Sequence, residues 1–438
     1  MDSDLLDSIP NAHADEVDAS AAVARLAGRL IGELARHDPG RNIVCSPLVA
    51  WLPLAALVNV TRPSLRGALL DAIGLDPTGT TLDGLNAAAS AMLNDLDRNT
   101  LVPVPVTDAN DLIRVVPCVA GEPSLRLAGG LWVDRRWQIN PDFACVFADA
   151  YHCAAEAVSF ADPASVVAIN RWAAERTDGL ITDLVQRFDA LTSVVIAHAI
   201  HFRGVWEWEF DPGSTQPDVF HAPEGDMTAP FMRFGSGIPG WWEVGGRRRR
   251  MESTGRCTYF EDDDMQAVDL RFTTTREGLL VLLPSHDSPE TLLADPSRVR
   301  SALAGAISTP GELRLPRFRL DAELDLSDVL VRLGVPLFDK AASPLSDLIV
   351  DAKAVGAEPV TVSAVRQRAI MEVDERGTTA AAAGYTAATA GGIGPSRDRP
   401  FAMVCDRPFA VVLYSDSGQA DPVIIMCGVV NQPEAWPA

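Results

Sequence analysis

From Val23 onward, apolar residues fall on one face of the chain. Val23, Leu26, Ala27, Leu30, Ile31 and Leu34 follow the 3.6-residue period of an amphipathic helix. Ser20 is placed to cap its start, and His37-Asp38-Pro39-Gly40 ends it. Leu48 to Leu57 reads as a second, mostly buried helix, Leu65 to Ile73 as a third, and Val166 to Arg176 as a later one. The second half changes period. Val194–Phe202, Ala267–Phe272, Leu279–Leu283, Glu312–Leu320, Val411–Tyr414 and Val423–Val430 are short β-type runs. In residues 312–320 the alternation slips, because Leu313 and Leu315 share one face while Phe318 and Leu320 take the other. Pro316 sits at the slip, which predicts a bulge that re-aims Arg317. Helices first and strands later indicate an α+β fold with large mixed or antiparallel sheets.

Four stretches fall outside this pattern. Residues 1–19 are acidic and read as a loose tail. Residues 103–123 are rich in Pro and Val and read as an inserted loop. Gly235–Gly255 holds Trp241-Trp242 and the run Arg247–Arg250; it is either a polyanion-binding patch or, as the overall charge favours, a solvated mobile loop. Residues 377–394 contain almost only Ala, Thr and Gly, as a flexible linker would. Against a linker, strand-like sequence resumes beyond it, and the 30 residues from Phe409 to Ala438 are too few for a domain of their own.

Composition narrows the function. The chain has 438 residues, 47% hydrophobic and 22% charged, enough to bury a large core. Its net charge of −22 repels phosphate backbones and anionic lipid, so nucleic-acid and polybasic membrane partners are not expected. The first residues carry acids where a secretory leader would carry Lys or Arg. The longest mostly apolar segment, Leu48 to Val60, contains Pro53 and is too short to span a bilayer. Seven cysteines, an odd number with no C-x-x-C spacing, suit free thiols in a reducing compartment. A cytoplasmic location is therefore favoured, with an extracellular one left open.

Catalytic and cofactor chemistry find little support. His198 and His201 are the closest histidine pair, yet three residues apart on a strand they point to opposite faces, which is poor for shared metal ligation. No G-x-S-x-G, G-x-x-x-x-G-K-[ST] or H-E-x-x-H occurs. We therefore expect no metal, no cofactor and no enzymatic turnover; a Ser/His/Asp triad assembled from distant residues stays an open alternative.

The segment Glu372-Val373-Asp374-Glu375-Arg376-Gly377-Thr378-Thr379-Ala380-Ala381-Ala382-Ala383 resembles the hinge of inhibitory serpins, the serine protease inhibitor family. Asn42-Ile43-Val44-Cys45-Ser46-Pro47 is similar to the family's N-x-x-x-S-P motif, and Thr177-Asp178-Gly179-Leu180-Ile181 to its T-x-G-x-I turn. Ala199-Ile200-His201-Phe202-Arg203-Gly204-Val205-Trp206 resembles the strand leading into F-K-G-x-W, and Leu315-Pro316-Arg317-Phe318 resembles L-P-K-F. Asp406-Arg407-Pro408-Phe409 and Gly428-Val429-Val430 are similar to the C-terminal strands. The motifs run in order from about residue 20 to 433, and a prokaryotic member is expected.

The resemblance implies one serpin domain over residues 20–433, with three β-sheets, about nine helices and an exposed reactive-centre loop at about 377–399. It implies a monomeric, single-use trap for a serine-type, or alternatively cysteine, endopeptidase. The cut loop enters the main sheet as a new strand. With Thr378 facing in, the inserted strand buries Thr378, Ala380, Ala382, Gly384, Thr386 and Ala388, all small, while Tyr385 faces out. Counting from the hinge Glu375 selects Gly391-Gly392 as the reactive bond and an elastase-like or subtilisin-like target. Counting back from Pro408 selects the region of Arg397-Asp398 and a trypsin-like target. The resemblance also implies an Arg317–Glu375 pair where the loop meets the sheet, with Trp206 packed under the opening. Ser46 would lie under the central strands. There His198 and Gln367 stand where the family has Asn and His, and are expected to face each other with donor and acceptor roles exchanged. Val49 replaces the family's second serine, and Val429 stands where an Arg is usual.

Overall fold

Asp18, not Ser20, caps the first helix. Its Oδ1 accepts a hydrogen bond from Ala21 N at 2.9 Å, and α1 runs Ala19–His37. The start moves upstream because Ala19 is already buried with Val23, Leu26 and Ile31. The computed structural model describes residues 17–436 apart from 100–104, 108–112, 116–123, 178, 180, 190–191, 245–246, 253–254, 274–275, 346, 351–358, 379–398 and 417–420. The acidic segment before residue 17 lies outside the described residues.

After α1 come β1 (Ile43–Cys45), α2 (Pro47–Leu57), α3 (Pro63–Ala72) and α4 (Leu82–Asn99). Proline opens both α2 and α3, where its missing N–H costs nothing. A short hairpin, β2 (Pro105–Thr107) and β3 (Ile113–Val115), lies in the expected insertion. Next are β4 (Ser124–Asp134), α5 (Pro141–Tyr151), β5 (Ala154–Val158) and α6 (Ala164–Arg176). The strand-rich part holds β6 (Val194–Val205), β7 (Glu209–Phe210), β8 (Gln216–Ala222), β9 (Gly225–Phe234), β10 (Pro239–Val244) and β11 (Arg247–Glu252). It continues through β12 (Arg256–Glu261), β13 (Met265–Arg271), β14 (Glu277–Pro284), α7 (Pro289–Ala294), α8 (Pro296–Gly305) and β15 (Ile307–Pro316). The chain closes with β16 (Phe318–Asp325), α9 (Ser327–Arg332), β17 (Val362–Val373), β18 (Gly377–Thr378), β19 (Phe401–Val404), β20 (Phe409–Ser415) and β21 (Val423–Val430).

The fold is α+β, with nine α-helices among the described residues. A six-stranded sheet has the order β16-β17-β18-β6-β4-β5. A ten-stranded sheet has the order β1-β21-β20-β14-β13-β12-β15-β9-β8, with β19 added on β15. Its two halves meet on β15, so with the six-stranded sheet they make the three sheets expected; two smaller sheets, β11-β10-β7 and β2-β3, add to them. Every residue of α2 is buried, as its uniformly apolar sequence demands. The helix packs against β4 and β6 of one large sheet and β21 of the other, so both share one core. On the far face of the six-stranded sheet, α6 and the following loop bury Trp132, Phe160, Ile169 and Trp172 in a second cluster.

Three further expectations need correction. Strands are not confined to the second half, since β1, β4 and β5 lie in the first. The slip at Pro316 is no bulge: β15 ends at Pro316 in the ten-stranded sheet, and β16 starts at Phe318 in the six-stranded one. Arg317 is the single residue at the crossover, pinned by Arg317 N donating to Pro230 O and by its own carbonyl accepting from Glu434 N. Gly235–Gly255 is not merely a loop either. β10 and β11 form an antiparallel hairpin with Trp241 opposite Arg250, and β10 pairs with β7. The alternation there is hidden because one strand of the hairpin is written mostly in arginine.

Candidate functional site

The six-stranded sheet is forked. Over their first parts, β6 and β17 pair directly and in parallel through seven register pairs, from Val362↔Val194 to Ala369↔Ile200. Beyond Ile200 and Ala369 a third strand enters. β17 turns at residues 374–376 and returns as β18, antiparallel to both neighbours, with Gly377↔Val205, Thr378↔Gly204 and Val373↔Thr378. The hinge segment thus already occupies the mouth of the fork.

The turn that feeds β18 is built locally by Asp374. Its Oδ1 accepts from Arg376 N at 2.8 Å and Gly377 N at 3.2 Å, and Asp374 N donates to Gly377 O at 3.0 Å. Trp206 then holds the turn from β6. Its indole Nε1 donates to Asp374 O at 2.9 Å, and its backbone N donates to Arg376 O at 2.9 Å. The ring is stacked on Phe272, with centroids 4.5 Å apart. From β7, Phe210 N donates to Glu375 O at 2.8 Å.

Glu375 turns its carboxylate into the protein, with side-chain exposure of only 6%. Oε1 accepts from Arg317 Nε at 2.8 Å and Nη2 at 2.5 Å, and from Thr215 Oγ1. The charge is therefore buried but paired and hydrogen-bonded, the condition under which burial is tolerable. Around it the field is acidic. The Glu434 carboxyl is pushed above the usual carboxylate range, first by burial and then by Glu372, Asp374 and Glu375, with Arg317 opposing. The β10–β11 hairpin braces the same corner: Trp241 Nε1 donates to Asp211 Oδ1 at 3.2 Å, beside β7.

Lower in the fork, His198 of β6 and Gln367 of β17 are register partners. The expected exchange of hydrogen bonds between them does not occur. Gln367 spends its amide on Ser46 instead: Oε1 accepts from Ser46 N at 2.9 Å, and Nε2 donates to Ser46 O at 2.8 Å. Ser46 Oγ donates to Ile425 O at 2.6 Å and accepts from Val49 N at 3.3 Å, capping α2. Neither ring nitrogen of His198 has a hydrogen-bond partner among the described residues. Burial alone pulls its pKa down to about 3, so the imidazole is neutral.

Arg317, Trp206, Glu375 and Gly377 thus meet at the mouth of the fork, and Ser46, His198 and Gln367 meet beneath it. Gly391, Gly392, Arg397 and Asp398 lie outside the described residues. So do Ala380, Ala381, Ala382, Ala383 and the side chain of Thr378. Sequence reasoning missed Thr215, which reaches Glu375 across 160 positions with no local signal. It also missed the turn role of Asp374, which its place two residues before Arg376 could have revealed. Among the described residues no three His, Cys, Asp or Glu side chains could hold a metal ion, and no helix is long and apolar enough to cross a membrane.

The main sheet is thus one whose two central strands, β6 and β17, part to admit the short strand β18 that follows β17. The family model described as "Serpin (serine protease inhibitor)" matches residues 21–433. The chain belongs to the serpin family. Its members are generally protease inhibitors, and some are non-inhibitory. An uncharacterised serpin-like protein of Thermococcus kodakarensis is 30% identical over 295 residues, 66% of this chain but only 63% of that relative. Serpin-ZXA of Oryza sativa is 26% identical over 411 residues, 90% of this chain and 91% of the relative. Among solved structures, the native state of tengpin, a thermophilic serpin, has a TM-score of 0.73 at 20% identity, covering 94% of this chain and 93% of its own. These relatives come from an archaeon and a plant, so they assign no source.

Proposed function

We propose that this chain is a single-use inhibitor of serine-type endopeptidases, with cysteine endopeptidases as an alternative, and that it traps its target covalently rather than turning substrate over. One observation carries the reading: β18 already sits as a wedge, antiparallel to both strands, in the mouth of the fork between β6 and β17. Continued in that register, residues 379–388 would run down β6 to Val194, replacing one parallel seam with two antiparallel ones. Each added ladder bond contributes about 1 kcal/mol net. A strand of roughly 14 residues spans on the order of 45 Å, enough to carry a bound protease from one end of the sheet toward the other.

In the proposed sequence of events, the protease serine attacks the carbonyl of the reactive residue and the C-terminal amine leaves. Insertion then displaces the acyl-enzyme before water can hydrolyse the ester. The hinge count places the bond at Gly391-Gly392, for an elastase-like or subtilisin-like protease; Arg397-Asp398 would suit a trypsin-like one. The rival reading, a serpin cleaved only as a substrate, draws on a rice relative, 27% identical, whose name marks it as a candidate non-inhibitory serpin. Incubation with elastase, subtilisin and trypsin separates the two. A covalent adduct stable in denaturing electrophoresis, together with the mass of the released C-terminal peptide, supports trapping and locates the bond. Complete cleavage without adduct for all three supports the rival.

A further inference from the structure

Cys45 and Cys427 are register partners on antiparallel β1 and β21, both buried, with their Sγ atoms 3.8 Å apart. Directly opposed residues on antiparallel strands have Cα atoms about 4.5–5.5 Å apart, inside the span a disulfide bridges. The two thiols therefore need only a small approach of their sulfur atoms to bond. We propose that Cys45 and Cys427 are a latent disulfide site, which on oxidation staples the C-terminal strands of this protein to its N-terminal region.

The placement gives the bond a consequence. Cys427 lies in β21, after the 379–398 segment, whereas Cys45 lies 382 positions earlier, at the other end of the chain. A cut anywhere in 379–398 separates β19, β20 and β21 from the rest covalently, leaving them held by non-covalent contacts alone. With Cys45 joined to Cys427, the cut molecule stays one covalent unit. The inference needs only that the loop can be cut; it does not depend on whether the cutting protease is trapped.

The chemistry balances with a small-molecule disulfide such as oxidised glutathione. One protein thiolate attacks a sulfur of the oxidant and releases one glutathione thiol. The second protein thiolate displaces the other glutathione from the mixed disulfide. Two protein thiols are oxidised, one disulfide is reduced to two thiols, and those thiols carry off the protons. The hydrogen bond with Cys45, and after it burial, hold the Cys427 thiol well above its ordinary range, which makes it a sluggish nucleophile in the closed sheet. β1 has only three residues, all buried, and ends the strand order, so oxidation requires this edge strand to open transiently.

The test uses the full chain. After incubation with oxidised glutathione, the protein is nicked in 379–398 and run on denaturing gels with and without reductant. The C-terminal fragment should stay with the body without reductant and separate with it, and peptide mapping of the unsubstituted protein should recover a Cys45–Cys427 linked pair. Cys427→Ala should release the fragment under both conditions, while Cys405→Ser, in the same fragment, should still retain it. The inference is overturned if the oxidised, nicked protein frees its fragment without reductant, or if mapping finds the retained fragment linked through Cys405 instead.

Discussion

Gly377 lies against the backbone carbonyl of Gly204: a Cβ at position 377 would stand 1.9 Å from that oxygen. Its φ of +152° is also one that side chains rarely adopt. The hinge can enter the fork only because this residue has no side chain. Gly377→Ala should expel β18 from the mouth and destabilise the intact protein by about 1–3 kcal/mol, read as a lowered denaturation midpoint. An unchanged midpoint would show that the closed hinge does not depend on this contact.

The same register makes a second demand. Extended from Thr378↔Gly204 and Thr378↔Val373, an inserted strand would bring Gly384 between His198 and Gln367, which are already opposite each other. That position faces the core, and the inward-facing residue there is the smallest available. If the chain traps proteases as proposed, Gly384→Leu should be cleaved as a substrate, with adduct falling at least tenfold relative to cleaved product, whereas Tyr385→Leu on the outward face should leave the ratio unchanged. Equal adduct yields from both variants would mean that the strand enters in another register.

Arg317 and Glu375 form a charged pair with one partner nearly buried and the other about one-third exposed. Removing the cation strands a buried carboxylate with Thr215 as its remaining side-chain donor. Arg317→Ala should cost about 1–3 kcal/mol, less than a fully buried pair would because water reaches the guanidinium. Arg317→Ala with Glu375→Gln should recover part of that loss in a double-mutant cycle. A coupling below about 0.5 kcal/mol would reduce the pair to an ordinary surface contact.

Much of this site was legible through the resemblance, which brings Glu375, Arg317 and Trp206 to one place and Ser46, His198 and Gln367 to another. Periodicity and composition alone mark α2 as an unbroken apolar stretch, while the run of small residues after Thr378 lies outside the described residues. The resemblance puts Arg317 beside Glu375, where it lies, while the local expectation of a bulge at Pro316 fails. A one-residue crossover between sheets and a bulge within one strand give the same slip in alternation, and only the partner strands distinguish them. Gln367 faces His198 as the resemblance implies, yet the backbone of Ser46, 321 positions away, offers both a donor and an acceptor to its amide. No spacing rule reaches that far.

His198 gives the molecule a pH dependence of definite sign. In the unfolded chain the imidazole titrates near 6.5; in the folded one burial lowers its pKa to about 3. Below about pH 6.5 the unfolded state takes up a proton that the native state refuses. Stability therefore falls as pH drops through that window, by about 1.4 kcal/mol per unit from this one group. His198→Asn removes the titration, so the difference in unfolding free energy between variant and parent should shift in favour of the variant by about that slope between pH 6 and pH 4. Parallel stability curves would mean that the ring is hydrated in the native state.

The central claim is that the intact sheet is held short of its most stable arrangement, with β6 and β17 paired where a further strand belongs. The most direct measurement is the melting temperature before and after a single cut in 379–398. Completing the sheet releases on the order of ten kcal/mol, so the cut protein should melt on the order of 20 °C higher than the intact one. A cut protein that melts at the same temperature or lower would contradict it.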